Sequence, residues 1–567
     1  MIGSASISAH PTNASGARRH ALGRLRAAPH ALRAVLPPPV VLVAAALLFC
    51  VSLSWAVLTP VTRAPDELQH LNSILRLAEG GGWPQPGDAR VHEDLVAVSE
   101  LSGATSDGAL SYLPGSVNTV PGAPLFAEIP PTPVDDRESF AELDDDRPSS
   151  LLDQMTQHPP GYYAATALVY RLAGLADLRY DRAVFVLRAL TALTVAASVP
   201  VCCYLATREL LGNETAGRVA AFMPLGVPQL GFLAGTVTND GAAIACTSVL
   251  SVLTLRVVTR GAIRRRLLLL AVVAGLLCWT KATALTLLPM VPLAITIASW
   301  RARGPGWRSW AGPAVRAGAG VSALAFVLGG WWWALNLVRY GSVQPSAGVT
   351  EPGTVPVLGL WNYLQVFWTR VSASYFGDIG LLEAPFPRFF TAAMAGAFLT
   401  LVLVGLSSRR AAGERIVLLV PLALTALAMF VTVYAVHRRT NALPGLQGRY
   451  LFVVLVPTVA LLVAGLARVV AVLRLRWVWV LPAVVAGGLG TAGLGLLRGF
   501  RTYYQPATGS WGAALDRFLG WSPWSPAAIG VFAVPAAGCL VLLGWLWGSA
   551  AAAGDGPSPA LHLPMAG

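Results

Sequence analysis

The chain has 567 residues, 55% of them apolar and only 12% charged, with a formal net charge of +13. A string of soluble domains is excluded, because repeated apolar runs of roughly 20 residues are spanning helices. The positive charge is not a nucleic-acid footprint, since arginines held in cytoplasmic loops give the same total.

Residues 1–37 form a basic tail, with Arg18, Arg19, Arg24, Arg26 and Arg33 ahead of the first apolar run. That run is long and no small-residue cleavage site follows, so it reads as a retained signal anchor. The first transmembrane helix is expected over 38–59, with the N-terminus cytoplasmic. Residues 60–182 then form a large polar extracytoplasmic loop that holds most of the acidic residues. It opens on RAPDELQHLNSILRLAEGGGWP, residues 63–84. Pro65 suits a first helical turn. Asp66 and Glu67 are expected at the positive end of the helix dipole, with His70 one turn beyond Asp66. Leu71, Ile74, Leu75 and Ala78 supply an apolar stripe, and three glycines stop the helix. The stretch 85–150 is rich in Pro, Gly, Asp and Ser and is expected as irregular loops with short helices. Its Asp144-Asp145-Asp146 run is read as a solvated acidic patch rather than a calcium site. The loop closes on His158-Pro159-Pro160-Gly161-Tyr162-Tyr163.

Further spans are expected at 183–206, 216–236, 240–258, 266–280, 282–299 and 317–338, which makes 183–338 helices 2–7. An extracytoplasmic loop fills 339–386, and its aromatic stretch from Val355 to Trp368 is expected as an interfacial helix. Spans at 387–406, 416–436, 450–470, 477–497 and 526–548 make 387–548 helices 8–12, and 549–567 is a cytoplasmic tail. The expected fold is an all-α polytopic membrane bundle of about 12 transmembrane helices. All six cysteines fall in apolar runs, which points to packed core residues rather than disulfides or a metal site.

Arginines such as Arg260, Arg264, Arg301, Arg409 and Arg468 mark successive cytoplasmic turns, while the alternate turns carry the unusual polar residues. Lys281 is the only lysine in the chain. A charge at a membrane boundary is costly unless paired or serving an anion, so Lys281 either snorkels or contacts a phosphate or carboxylate. Asn239 and Asp240 at a turn between spans read as a helix cap, a role compatible with substrate contact. His70 and His158 lie at the two ends of one loop, where neutral imidazoles can bind a divalent cation or hydrogen-bond a phosphate. In Gln447-Gly448-Arg449-Tyr450, Gly448 permits close backbone approach, and Arg449 is either an interface anchor or a forked donor for phosphate oxygens.

The order of these motifs resembles the bacterial DUF2142 membrane proteins, within the GT-C superfamily of polyprenyl-phosphate-dependent glycosyltransferases. The resemblance is carried by Pro65-Asp66-Glu67 with His70, His158-Pro159-Pro160 with Tyr163, Asn239-Asp240, Thr280-Lys281, Tyr340-Gly341, Phe376-Gly377 and Gln447-Gly448-Arg449-Tyr450. Gly161 stands where such proteins often carry leucine. The resemblance implies a GT-C-like bundle in the bacterial inner membrane, its active site outside and both termini cytoplasmic. It implies transfer of a sugar, with inversion, from a polyprenyl-phosphate donor to a cell-envelope acceptor. Asp66 would be the base, and Glu67 would orient the acceptor or a metal. Lys281, Arg449, Gln447 and Tyr450 would hold the donor phosphate. His70, His158, Asn239 and Asp240 would contact substrate or metal. A divalent metal, magnesium or manganese, is the candidate cofactor, with Asp66, Glu67 and His158 as its ligands. The alternative reading is a transporter or flippase for a lipid-linked or anionic solute.

Overall fold

The computed structural model describes residues 37–103, 126–143, 146–346, 356–379, 384–506 and 508–552. The basic tail up to residue 36, the segment 553–567, and Asp144 and Asp145 of the acidic run lie outside the described residues. Among the described residues, 10 helical segments are long and apolar enough to cross a membrane. The chain is a multi-pass, mostly helical membrane protein.

Two of the twelve expected spans take another form. The segment 216–236 is broken into Glu214–Phe222, a 3-10 turn at Met223–Gly226, and Pro228–Ala234. Pro224 and Pro228 lack the N–H that a continuous helix needs, which accounts for the breaks. The segment expected at 266–280 is helical over Arg264–Leu277, 14 residues. At 1.5 Å per residue this reaches roughly 21 Å, less than the ~30 Å hydrocarbon core. The chain then turns at Cys278 to Lys281 and re-enters through the 3-10 turn Ala282–Leu287.

Side-chain contacts sort the helix ends into two groups. At one end, Tyr504 donates to the Leu58 carbonyl at 2.8 Å and Asn239 reaches the Thr280 carbonyl at 3.4 Å. At the other end, Arg260 pairs with Glu209 and Arg301 with Glu414. The first end therefore gathers the segments that follow residue 58 and those that precede residues 240, 282 and 448.

The long loop after the first span is folded at that end. Its opening helix, Glu67–Ala78, packs Leu71, Ile74 and Leu75 against Tyr163, Ala167 and Tyr170, all three on helix Gly161–Leu172. The expected apolar stripe is this contact. Strands β1 (Arg90–His92) and β2 (Pro148–Leu152) form an antiparallel ribbon pairing Arg90 with Leu152. Asn72 clamps it to the helix, donating to the Arg90 carbonyl and to Asp153, and accepting from the His92 N–H.

The helix expected as interfacial runs over Leu360–Phe376, with Gly359 at its start and Gly377 ending it; 356–359 are not helical, and Val355 lies outside the described residues. Trp361, Leu364 and Trp368 are exposed while Tyr363, Val371 and Tyr375 are buried, as expected for a helix lying on an apolar surface. Its inner face touches the start of the 448–472 span, where the Gly448 N–H donates to Ser374 at 2.8 Å. A Cβ on residue 448 would run into the backbone of Val371 and Tyr375. Only glycine allows this approach, and it sets the position of the next residue, Arg449.

Candidate active site

Asp66 is not in the first helical turn. It precedes the helix in the left-handed region, φ 61° and ψ 10°, with no side-chain cap bond. That conformation costs a non-glycine residue about 1–2 kcal/mol, least for Asp and Asn, and it directs the carboxylate away from the helix end. One oxygen, Oδ2, pairs with Arg449 at 2.9 Å, and Oδ1 accepts from Gln154 at 3.1 Å. The side chain remains 30% exposed. Burial alone would raise the Asp66 carboxyl, but the positive charges of Arg449 and Lys281 hold it below its ordinary range. Asp66 is therefore ionised at neutral pH.

Glu67 faces the other way and is fully buried. Arg188 grips it side-on, with Nε to Oε1 at 2.8 Å and Nη2 to Oε2 at 2.5 Å. The Thr62 N–H reaches Oε2 at 3.1 Å and the Val237 N–H reaches Oε1 at 3.0 Å. A carboxylate offers about four lone-pair sites, and all of them are taken. Glu67 thereby ties the opening helix of the loop to segments 188 and 237, and orienting an acceptor or holding a metal would need one of these bonds to open. Arg188 extends the knot by donating to the carbonyls of Ala56, Thr59 and Pro60.

The cations converge beside Asp66. Lys281 pairs with Asp240 at 2.8 Å, both side chains nearly buried. The Tyr450 ring is shared, with Lys281 Nζ 5.0 Å and Arg449 Cζ 5.2 Å from its centroid, within cation–π range. Asp66, Arg449, Tyr450, Lys281 and Asp240 thus form one continuous cluster drawn from four distant segments. Asn239 precedes the Asp240 helix without a side-chain cap bond; its amide goes to Thr280 instead. Gln447 is half-buried at the start of the Arg449 turn. Among the described residues, Arg449 Nε, His158 Nδ1 and Asn239 Oδ1 are buried without a hydrogen-bond partner. Buried polar atoms left unpaired are costly, so three of them around one cluster mark a surface that a polar ligand would complete.

His70 lies 3.0 Å from the Tyr163 hydroxyl through Nδ1, its ring stacked on the tyrosine. Burial pushes His70 down to about 4 and His158 down to about 3, so both imidazoles are neutral at physiological pH. An unfolded histidine protonates near 6.5. Acid therefore favours the unfolded chain: the stability these groups contribute is complete above pH 6.5 and is lost as pH falls towards 4 and then 3. The melting temperature should fall across that window, with a shallower slope in His158→Gln; identical slopes would show that His158 does not titrate this way. His437 serves elsewhere, its Nε2 accepting from the Leu358 N–H at 3.0 Å.

The expected metal site is not assembled. No group of three or more His, Cys, Asp or Glu side chains among the described residues is placed to hold a metal ion. Asp66 is engaged by Arg449 and Gln154, and Glu67 is saturated. The residues present do not fit a divalent metal, and positive charge at this site comes from Arg449 and Lys281.

Gly161 has a direct packing reason. A Cβ there would lie 2.6 Å from Trp279 Cβ and 3.1 Å from the Trp279 carbonyl oxygen. Gly161→Val should cost about 1–3 kcal/mol by overpacking and displace the helix carrying Tyr163. Thermal melting checks this; an unchanged midpoint would mean the Trp279 contact yields freely.

Sequence analysis missed Arg188 and Gln154. Arg188 was open to detection, since an ionisable residue inside an apolar span is a site candidate by default.

No curated protein matches the chain. Among solved structures, it is similar to ArnT from Cupriavidus metallidurans bound to undecaprenyl phosphate, with 16% identity and a TM-score of 0.39. That match covers 84% of this chain and 74% of ArnT. It is also similar to the Archaeoglobus fulgidus oligosaccharyltransferase, at 13% identity and a TM-score of 0.39, covering 87% of this chain and 56% of that one. The model of the predicted membrane protein family DUF2142 matches residues 49–458, most of the chain and every residue of the cluster. The chain is a member of the DUF2142 family of membrane proteins.

Proposed function

We propose that the protein is a membrane glycosyltransferase that takes a sugar from a polyprenyl-phosphate donor and passes it to a cell-envelope hydroxyl. The observation that carries this reading is the gathering of Arg449 and Lys281 at one ring, Tyr450, with Arg449 paired to Asp66 and Lys281 to Asp240. Two fixed cations at a membrane boundary suit a phosphate that gains charge as it leaves. A partly exposed, ionised carboxylate beside them suits removal of a proton from the attacking hydroxyl.

In the reaction, the acceptor oxygen attacks the anomeric carbon as its proton passes to Asp66. The bond from that carbon to the phosphate oxygen breaks, and the lipid phosphate leaves with the electron pair. A single displacement inverts the anomeric centre. The Asp66–Arg449 pair explains how the base is kept in check. While Arg449 holds Asp66, the carboxylate is a weak base; when a donor phosphate engages Arg449, the hold loosens and Asp66 becomes more basic. His70 and His158, both neutral, offer hydrogen bonds to sugar or acceptor. The basic turns lie at the opposite end of the bundle; the charge rule supports a cytoplasmic position for that end and an outside one for the cluster.

The test is incubation of purified protein with a panel of polyprenyl-phosphate sugars, following release of the lipid phosphate. Release from one donor, absent in Asp66→Asn, is the expected result. No release from any donor, together with movement of labelled lipid phosphate across vesicles, would replace this reading with transport.

A further inference from the structure

Asp66 is held at both oxygens, by donors from different parts of the fold. Arg449, on Oδ2, stands on the turn that Gly448 sets against Val371 and Tyr375. Gln154, on Oδ1, belongs to the large polar loop. It opens the 3-10 turn Gln154–Gln157, whose cap Asp153 accepts from the Met155 N–H at 2.9 Å. Asp153 is fully buried, and its other oxygen accepts from Asn72 at 2.6 Å and from Ser73 at 2.9 Å. Both of those donors lie on the helix that Asp66 precedes. Met155 packs in the same core as Leu68 and Leu71 of that helix. Asp66, the helix, Asp153 and Gln154 thus close a ring of covalent chain and hydrogen bonds, and the ring contains no residue of the 448–472 span. An ionised carboxylate only accepts, so the Gln154 amide must turn its NH₂ to Asp66.

We propose that Gln154 is the positioning residue of the base, holding Oδ1 of Asp66 so that Oδ2 passes from Arg449 to the acceptor hydroxyl. The inference rests on the function proposed above. The torsion that turns an aspartate carboxylate is soft. Once a donor phosphate draws Arg449 away, a carboxylate held by nothing else would swing. A base must stay within hydrogen-bond reach of the proton it takes, and the ring through Asp153 supplies that hold without Arg449. The acceptor proton then goes to Oδ2, while the oxygen's electron pair forms the bond to the anomeric carbon. The charged and titratable groups acting on Asp66 are Arg449, Lys281 and the neutral His70, with Asp240 paired to Lys281. Gln154 adds no charge to them. A neutral amide suits the task, because it fixes direction while lowering proton affinity less than another cation would.

Two variants test this. Gln154→Met keeps the length and removes the donor; Gln154→Glu keeps the length and adds a negative charge. The position is half-buried and the Asp153 bonds are untouched, so both should melt as wild type does. With a donor that wild type uses, Gln154→Met should lower kcat by about 10–100-fold. The KM for the donor and the affinity for undecaprenyl phosphate should stay unchanged. Removing a hydrogen bond to the charged form raises a carboxyl. The acid limb of kcat, which reports the substrate-bound enzyme, should therefore move to higher pH by about one pH unit, and further in Gln154→Glu. An infrared titration of the Asp66 carboxyl band with undecaprenyl phosphate bound, the Asp66→Asn spectrum subtracted, should give the same order without any sugar donor. Wild-type kcat and an unmoved acid limb in both variants would overturn the assignment but leave the function reading standing. A raised KM with unchanged kcat would overturn it in favour of a substrate contact, and lower melting with an unmoved limb in favour of a purely structural role. A wild type that releases lipid phosphate from no donor would remove the function reading, and this assignment with it; the variants fail alone only where wild type is active.

Discussion

Replacing Asp66 by asparagine should lower turnover by about 10²–10⁴-fold, the usual contribution of a general base, while lipid phosphate still binds. Asparagine tolerates the left-handed backbone that Asp66 adopts, so the loop geometry survives. The substitution removes the negative charge that Arg449 now faces at 2.9 Å. A freed guanidinium holds a phosphate more strongly, so the dissociation constant for the lipid phosphate should stay level or tighten. This split, with chemistry lost and binding kept, separates a base from a residue that shapes the pocket. Equal losses in both would assign Asp66 to donor binding and leave the reaction without its base.

The neighbouring carboxylate should behave in the opposite way. Four donors converge on Glu67: two N–H groups of Arg188 and the backbone N–H groups of Thr62 and Val237. Glu67→Gln sets an amide NH₂ against some of those donors and leaves the buried Arg188 uncompensated. Breaking a buried pair from one side costs about 3–5 kcal/mol, so the variant should melt well below wild type or fail to accumulate in the membrane. The paired change Glu67→Gln with Arg188→Met removes the uncompensated charge and should recover part of the loss. Recovery of stability without recovery of turnover would confirm that the knot also positions Asp66. A Glu67→Gln variant with wild-type melting and no turnover would instead make Glu67 a reacting group.

The contrast between residues 66 and 67 shows where sequence reading stops. Two adjacent carboxylates in Pro65-Asp66-Glu67 look interchangeable, and their roles are divided by one positive φ at Asp66, which sends the side chains in different directions. Nothing in residue order specifies that angle, although Asp is among the few side chains that accept it. Arg188 differs: its charge inside an apolar run marks it, but its partners are not readable from residue order, being Glu67, 121 residues away, and the carbonyls of Ala56, Thr59 and Pro60. By contrast, the convergence of Asp66, Lys281 and Arg449 was legible, because alternation of basic and polar turns places all three at the same end of the bundle. Most of the spans were equally plain from apolar length. The break at Met223–Gly226 was visible in Pro224 and Pro228, but an apolar run conceals a proline break when hydropathy alone is weighed.

The proposed function requires one site that holds the donor phosphate beside two cations, in front of one carboxylate. Its most direct test is a structure of the protein with undecaprenyl phosphate bound. The phosphate should sit over Tyr450, within about 3 Å of both Arg449 and Lys281, with the Asp66 carboxylate released from Arg449. A phosphate bound at the basic end near Arg260 and Arg301, with the Asp66–Arg449 pair intact, would contradict it.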